Sequence, residues 1–249
     1  MKRAGLFAFL LVLASVLPAQ ASFQDLLAAG TARRVLEAVQ AGADVRGSSR
    51  AGVTPLMIAA ASNSDPAVIT ILLAAGATVD ERDWVGATAL ICAARFNTRS
   101  DMVTMLARSG AEVDLRDGLG ETALMYAAQF NPNPRVVRAL LDSGARVDGQ
   151  DASGISALML AAQSNQEPSI VQALLDRGAN VNLKNVTGMT PLLFAAQGTA
   201  NPQVISVLLA RGADARAVSS WGETAISLAA KNPHLRGSDV LGSLRRTAR

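Results

Sequence analysis

Gly52-Val53-Thr54-Pro55-Leu56-Met57-Ile58-Ala59-Ala60 opens a unit whose glycine returns every 34 residues, at Gly86, Gly120, Gly154, Gly188 and Gly222. A second glycine keeps the same spacing at Gly42, Gly76, Gly110, Gly144, Gly178 and Gly212, followed each time by alanine. A fixed period of this length marks an array of small stacked units, each burying its apolar face against its neighbours. Function is then to be sought on the surface of the array.

The parts of one unit have separate physical jobs. Thr54 suits a helix N-cap, because its hydroxyl can accept from an otherwise unpaired N–H, and Pro55 suits the first helical position. Thr88, Thr122, Ser156, Thr190 and Thr224 repeat the cap. Leu56, Ala59 and Ala60 fall on one face of a short helix, where small alanines admit a close neighbour. Asn63, with Asn97, Asn131 and Asn165 in the same slot, is expected to end that helix in the left-handed C-cap conformation. Asp65-Pro66, Asn133-Pro134 and Asn201-Pro202 start a second helix, in which Val68, Ile69, Leu72 and Leu73 form the buried face and after which Gly76 closes the end. Asp83, Asp117, Asp151 and Asn185 share a slot in the polar turn that follows, as suits side chains that bond their own backbone.

Thr54-Pro55-Leu56 with Ala59-Ala60, the Leu72-Leu73 pair and Gly76-Ala77-x-Val79-Asp80 together resemble the ankyrin repeat. The resemblance covers everything after the N-terminal segment. It implies an all-α ankyrin-repeat solenoid of stacked helix-turn-helix units joined by β-turn or hairpin loops. An N-terminal capping repeat spans 22–51, five full repeats span 52–85, 86–119, 120–153, 154–187 and 188–221, and a C-terminal capping repeat spans 222–249. The chain departs from the family pattern in its period of 34 rather than 33, which predicts a longer loop between the two helices. The histidine that follows Thr-Pro-Leu in the family is also replaced, by Met57, Ile91, Met125, Met159, Leu193 and Ser227. Apolar packing is expected there in place of hydrogen bonding between repeats.

Half of the 249 residues are hydrophobic but only 4% are aromatic, a composition suited to close-packed helices rich in Ala, Leu, Val and Met. Lys2 and Arg3, the apolar run Ala4 to Leu17, Pro18 and the small-x-small site Ala19-Gln20-Ala21 read as a cleaved secretory signal peptide, residues 1–21. The apolar run falls short of the roughly 20 residues a membrane span takes. The predicted localisation is periplasmic or secreted, with no membrane association after cleavage. The formal charge of +3 includes Lys2 and Arg3; without them 21 basic residues face 20 acidic ones. That balance, with Arg interleaved among Asp and Glu, lacks the basic stripe of a nucleic-acid binder.

The motifs that could carry chemistry are weak. Gly118-Leu119-Gly120-Glu121-Thr122-Ala123 matches a dinucleotide fingerprint, but Gly120 is the repeat glycine and no buried strand is expected before it. The Asp ladder, Asp80, Asp114 and Asp148 beside Asp83, Asp117 and Asp151, is read as turn capping rather than as calcium ligands. His234 is the single histidine, Cys92 the single cysteine in an apolar slot, and Asn185-Val186-Thr187 a glycosylation sequon relevant only to a eukaryotic source. No catalytic residue, metal or cofactor is expected. The predicted function is a non-enzymatic interaction module, a monomer that binds a partner protein through turn tips and first-helix surface. The alternative is an effector exported by a bacterium to act in host cells. The expected contact residues are Trp84 and Trp221 at turn tips, with Arg95, Phe96, Gln129 and Phe130 at the ends of two first helices. Trp84 is expected to be exposed; Phe96 and Phe130 either anchor a partner or tuck under the longer loop between the helices.

Overall fold

The structure, a computed structural model, describes residues 22–248. The expected signal peptide and its cleavage motif lie outside the described residues. Fourteen α-helices and one 3-10 turn (Pro233–Leu235) are described, with no strand among the described residues beyond two isolated bridges. The fold is all-α and built from repeated helix pairs. It comprises two compact units, the first ending at Ala123 and the second beginning at Leu124.

In the first unit, α1 (Phe23–Ala29), α3 (Pro55–Ser62) and α5 (Ala89–Phe96) pack in that order as an inner row, and α2 (Ala32–Gln40), α4 (Ala67–Ala74) and α6 (Ser100–Arg108) as an outer row. The second unit begins within α7 (Ala123–Phe130), which is followed by α8 (Pro134–Asp142), α9 (Ala157–Ser164), α10 (Pro168–Asp176), α11 (Pro191–Gly198), α12 (Pro202–Ala210), α13 (Ala225–Lys231) and α14 (Val240–Thr247). Here α9, α11 and α13 form an inner row and α8, α10, α12 and α14 an outer one.

Helices of eight residues would not persist alone. Those of the inner rows persist because nearly every side chain is buried, as in the run Pro55 to Ala61. Each fully covered Leu, Ile or Met contributes about 1.5–3 kcal/mol. Their starts are the expected caps: the N–H groups of Met57, Ile91, Met159 and Leu193 donate to Thr54, Thr88, Ser156 and Thr190 at 3.3–3.4 Å. The outer helices close as expected, with Gly76 at φ +96° and the Ala77 N–H donating to Leu72 O at 3.0 Å. In three of the leucine pairs, however, only the first member is in the core, whereas Leu174 and Leu175 are both buried. Leu72, Leu140 and Leu208 are fully covered, while Leu73, Leu141 and Leu209 are half-buried at the edge of the contact.

The asparagine slot corrects two expectations. Asn63 has φ −73° and ψ 144°, extended rather than left-handed, and no residue other than glycine has positive φ among the described residues. Its side chain supplies a hydrogen-bonding link between repeats in place of the missing histidine. Asn63 Nδ2 donates to Leu27 O at 2.9 Å and Gly30 O at 3.1 Å. Asn97 Nδ2 donates to Ala60 O at 3.0 Å and Asn63 O at 2.8 Å, and Asn165 Nδ2 to Ala128 O at 2.9 Å and Asn131 O at 3.0 Å. In the last repeat Asn232 Nδ2 reaches Ala196 O at 3.3 Å and Thr199 O at 3.0 Å. Each Oδ1 meanwhile accepts the N–H two residues on, as from Asp65 to Asn63 at 2.8 Å. One buried amide thus ends its own helix and ties it to the helix beneath. Packing alone, the expectation for Met57 and its equivalents, describes only part of the joint.

Candidate protein-binding surface

The turns between repeats are built to one plan. Asp83 Oδ1 accepts from the N–H groups of Val85 at 3.0 Å and Ala87 at 2.8 Å, and the Gly86 N–H donates to Asp83 O at 2.9 Å. Asp117, Asp151 and Asn185 do the same with their own turns, and Ser49 and Ser219 do it with hydroxyls. The repeat glycine needs its positive φ and its missing side chain: at Gly86, φ is +84° and a Cβ would lie 2.8 Å from Gly118 N. Successive turns are also bonded to each other, the Trp84 N–H to Ala51 O at 3.1 Å and the Gly118 N–H to Val85 O at 2.8 Å. The N–H groups from Asp83 to Ala87 are therefore all bonded within the array, without help from the Trp84 side chain.

That arrangement pushes both tryptophans into solvent, Trp84 at 71% exposure and Trp221 at 70%. Two further tip residues share their slots and were missed in the sequence, Leu119 in Trp221's slot in the first unit and Val186 in Trp84's slot in the second, at 57% and 71%. Their signal was positional: Val186 stands in a slot that elsewhere holds Gly118, Ala152 or Ser220, and Leu119 in one that elsewhere holds Ser153 or Thr187, so neither slot is required for packing.

The first-helix residues are mixed. Arg95 and Phe96 are half-buried, with the guanidinium carbon 5.0 Å from the Phe96 ring centre. Phe130 is 41% exposed and stacks on buried Tyr126, ring centres 6.1 Å apart. Gln129 is a correction. It is only 6% exposed, so its side chain offers no surface to a partner, and its Nε2 has no hydrogen-bond partner among the described residues.

The residues weighed for other chemistry have structural roles. Asp80 accepts the Glu112 N–H at 3.1 Å and Asp148 the Asn180 N–H at 2.9 Å, so these two aspartates each bond one turn to the next within their own unit. No cluster of potential metal ligands occurs among the described residues. Burial pushes the Cys92 thiol up to about 12, with the nearby Asp83 charge acting in the same direction, so it is a protonated packing residue. Gly118 and Gly120 belong to a turn with no preceding strand. His234 is exposed in the 3-10 turn after α13. No helix among the described residues is long and apolar enough to cross a membrane.

A family model described as ankyrin repeats, in three copies, matches residues 26–117, 99–185 and 158–243. Comparison with curated proteins gives no match.

Proposed function

The chain belongs to the ankyrin-repeat family, whose repeats are generally protein-protein interaction modules, and from that premise we propose that it is a non-enzymatic, exported, monomeric binding protein of the bacterial periplasm or exterior. Its contact residues are the turn-tip side chains, Trp84 with Leu119 in the first unit and Val186 with Trp221 in the second. Arg95, Phe96 and Phe130 are secondary contributors. The observation that carries this reading is the exposure of Trp84, a large indole held on a turn whose N–H groups are already bonded. Exposed aromatic anchors are the side chains from which interfaces draw most of their energy. The test is capture from a periplasmic extract by the immobilised mature chain beside a Trp84→Ala, Trp221→Ala double variant. A protein held by the wild type and lost from the variant supports the reading; equal retention by both, or none by either, refutes it.

Export is supported by the N-terminal sequence pattern and by the residue that cleavage would leave first. Ser22 caps α1: its hydroxyl accepts the Asp25 N–H at 3.2 Å, and its own backbone N–H donates to Asp25 Oδ2 at 2.9 Å. The first helix thus needs nothing before Ser22 to complete its cap. Mass spectrometry of protein from the native host is expected to give a chain starting at Ser22. Full-length protein confined to the cytoplasm would overturn both the processing and the location.

A further inference from the structure

Within each unit a turn is covered on one side by the turn that follows it. The residue before the repeat glycine offers its carbonyl to that next turn: Ala51 O accepts the Trp84 N–H at 3.1 Å and Val85 O the Gly118 N–H at 2.8 Å in the first unit, and Ser153 O accepts the Val186 N–H at 3.1 Å and Thr187 O the Ser220 N–H at 2.9 Å in the second. The next turn also sits against the glycine, since a Cβ at Gly52, Gly86 or Gly154 would lie 2.8–2.9 Å from its backbone. The last turn, Ser219 to Gly222, has no successor. Nothing lies within 4 Å of the corresponding point at Gly222, and Trp221 O accepts no backbone N–H among the described residues.

A terminal repeat is expected to present a polar outer face, and an open strand edge to carry charges that deter pairing. The helical side of this end does so, with Arg245 and Arg246 exposed on α14. The last turn does the reverse. An antiparallel bridge joins Val218 to Thr224, so its open side is a short strand edge. The slot of Val218 holds Ser48, Arg82, Arg116, Gln150 and Lys184 in the earlier turns. Val218 is 49% exposed, in the same turn as Trp221 at 70%. Valine in this slot also frees a second acceptor. Arg82 Nε donates to Gly86 O at 3.3 Å, Arg116 to Gly120 O at 2.7 Å and Gln150 Nε2 to Gly154 O at 2.5 Å, a bond that Val218 cannot make to Gly222 O.

We propose, on the premise that the chain is a binding protein, that this edge docks an extended acidic segment of a partner protein. The segment adds to the last turn as a strand, with its backbone N–H groups donating to Trp221 O and Gly222 O and its apolar side chains packing on Trp221 and Val218. Its acidity follows from charge. Residues 222–249 hold five Lys and Arg against two Asp and Glu, and exposed Arg216, at the foot of the same turn, donates to Ala248 O at the end of α14 at 2.9 Å. The same charge disfavours a second copy as the occupant. The turn that a second copy would bring is its first, which exposes Arg50 and follows α2 with Arg33 and Arg34 exposed.

Random peptides displayed on phage and selected on the immobilised mature chain test this. The expected result is enrichment of peptides rich in Asp and Glu, whose synthetic copies bind the chain with an affinity that falls as salt rises. Trp221→Ala and Val218→Arg are each expected to weaken that binding by more than about tenfold, and Trp84→Ala to leave it unchanged. Val218→Arg places in the last turn the residue type found at Arg82 and Arg116, so it is expected to keep the wild-type melting temperature while its guanidinium takes Gly222 O. The edge is not such a site if no peptide is enriched, if the enriched peptides are not acidic, or if Val218→Arg binds them as the wild type does. Peptides lost to Trp84→Ala and kept by Val218→Arg would overturn the edge alone and leave the chain a binding protein with its peptide site in the first unit. Self-association of the mature chain in sedimentation, abolished by Val218→Arg, would give the edge to a second copy and overturn the acidic partner.

Discussion

Asn97→Ala is expected to destabilise the chain by about 2–5 kcal/mol, although it removes only a small polar side chain. Its amide supplies both donors for Ala60 O and Asn63 O, at 3.0 and 2.8 Å, and its Oδ1 accepts the Arg99 N–H at 3.0 Å. Asn97 is 6% exposed, so water cannot readily replace what is lost, and each orphaned buried group costs about 1–3 kcal/mol. Denaturant unfolding followed by circular dichroism measures the effect. Ser62→Ala, at an exposed site near the end of α3, serves as the control and is expected to stay within about 0.5 kcal/mol of wild type. A loss for Asn97→Ala no larger than the control's would mean that the amide ladder is decoration on a joint made by apolar packing.

Leu140→Ala is the second large effect, about 2–5 kcal/mol from lost burial and the cavity left behind. Leu140 is fully covered, whereas its neighbour Leu141 is half-buried at the rim of α8. Leu141→Ala is therefore expected to cost about 1 kcal/mol, with room for the vacated space to be filled by solvent. Equal losses for the two variants would contradict the assignment of Leu140 to the core and of Leu141 to its rim.

The contrast between those leucines shows where sequence patterns stop being informative. Glycine spacing, Thr and Ser caps, and the Asp83 turn slot were all legible, because each is a local device that works through backbone groups two to four residues away. The pair Leu72-Leu73 is apolar at both positions, and only the direction of the neighbouring helix decides which one is covered. The asparagine slot misled for a related reason. An Asn at a helix end signals a local cap, but its Nδ2 bonds run to carbonyls 33 to 37 residues back, a distance at which no short motif marks the acceptor.

The binding surface was partly legible on the same principle. Trp84 and Trp221 stand out because their slots hold unrelated residues in successive repeats, which a packing position would not tolerate. Leu119 and Val186 occupy those slots too, yet as ordinary aliphatic residues they do not stand out as interface anchors. Gln129 could not be placed from its type at all. Gln129, Gln163 and Gln197 share one slot and run from buried through half-buried to exposed. What stacks next decides the outcome, as where the Gln163 side chain lies 2.5 Å from the point a Cβ on Gly198 would occupy.

Buried leucines and amides hold the scaffold, and the surface is carried on turn tips that the scaffold does not need. Trp84→Ala tests that separation most directly, with affinity for the captured partner and melting temperature measured on the same preparation. The predicted result is a loss of affinity of more than about tenfold with the melting temperature nearly unchanged, since an anchor of this kind is worth at least about 2 kcal/mol to an interface and a tip side chain little to the core. Unchanged affinity with a large fall in melting temperature would contradict it, making Trp84 part of the scaffold and leaving the turn tips without a role in binding.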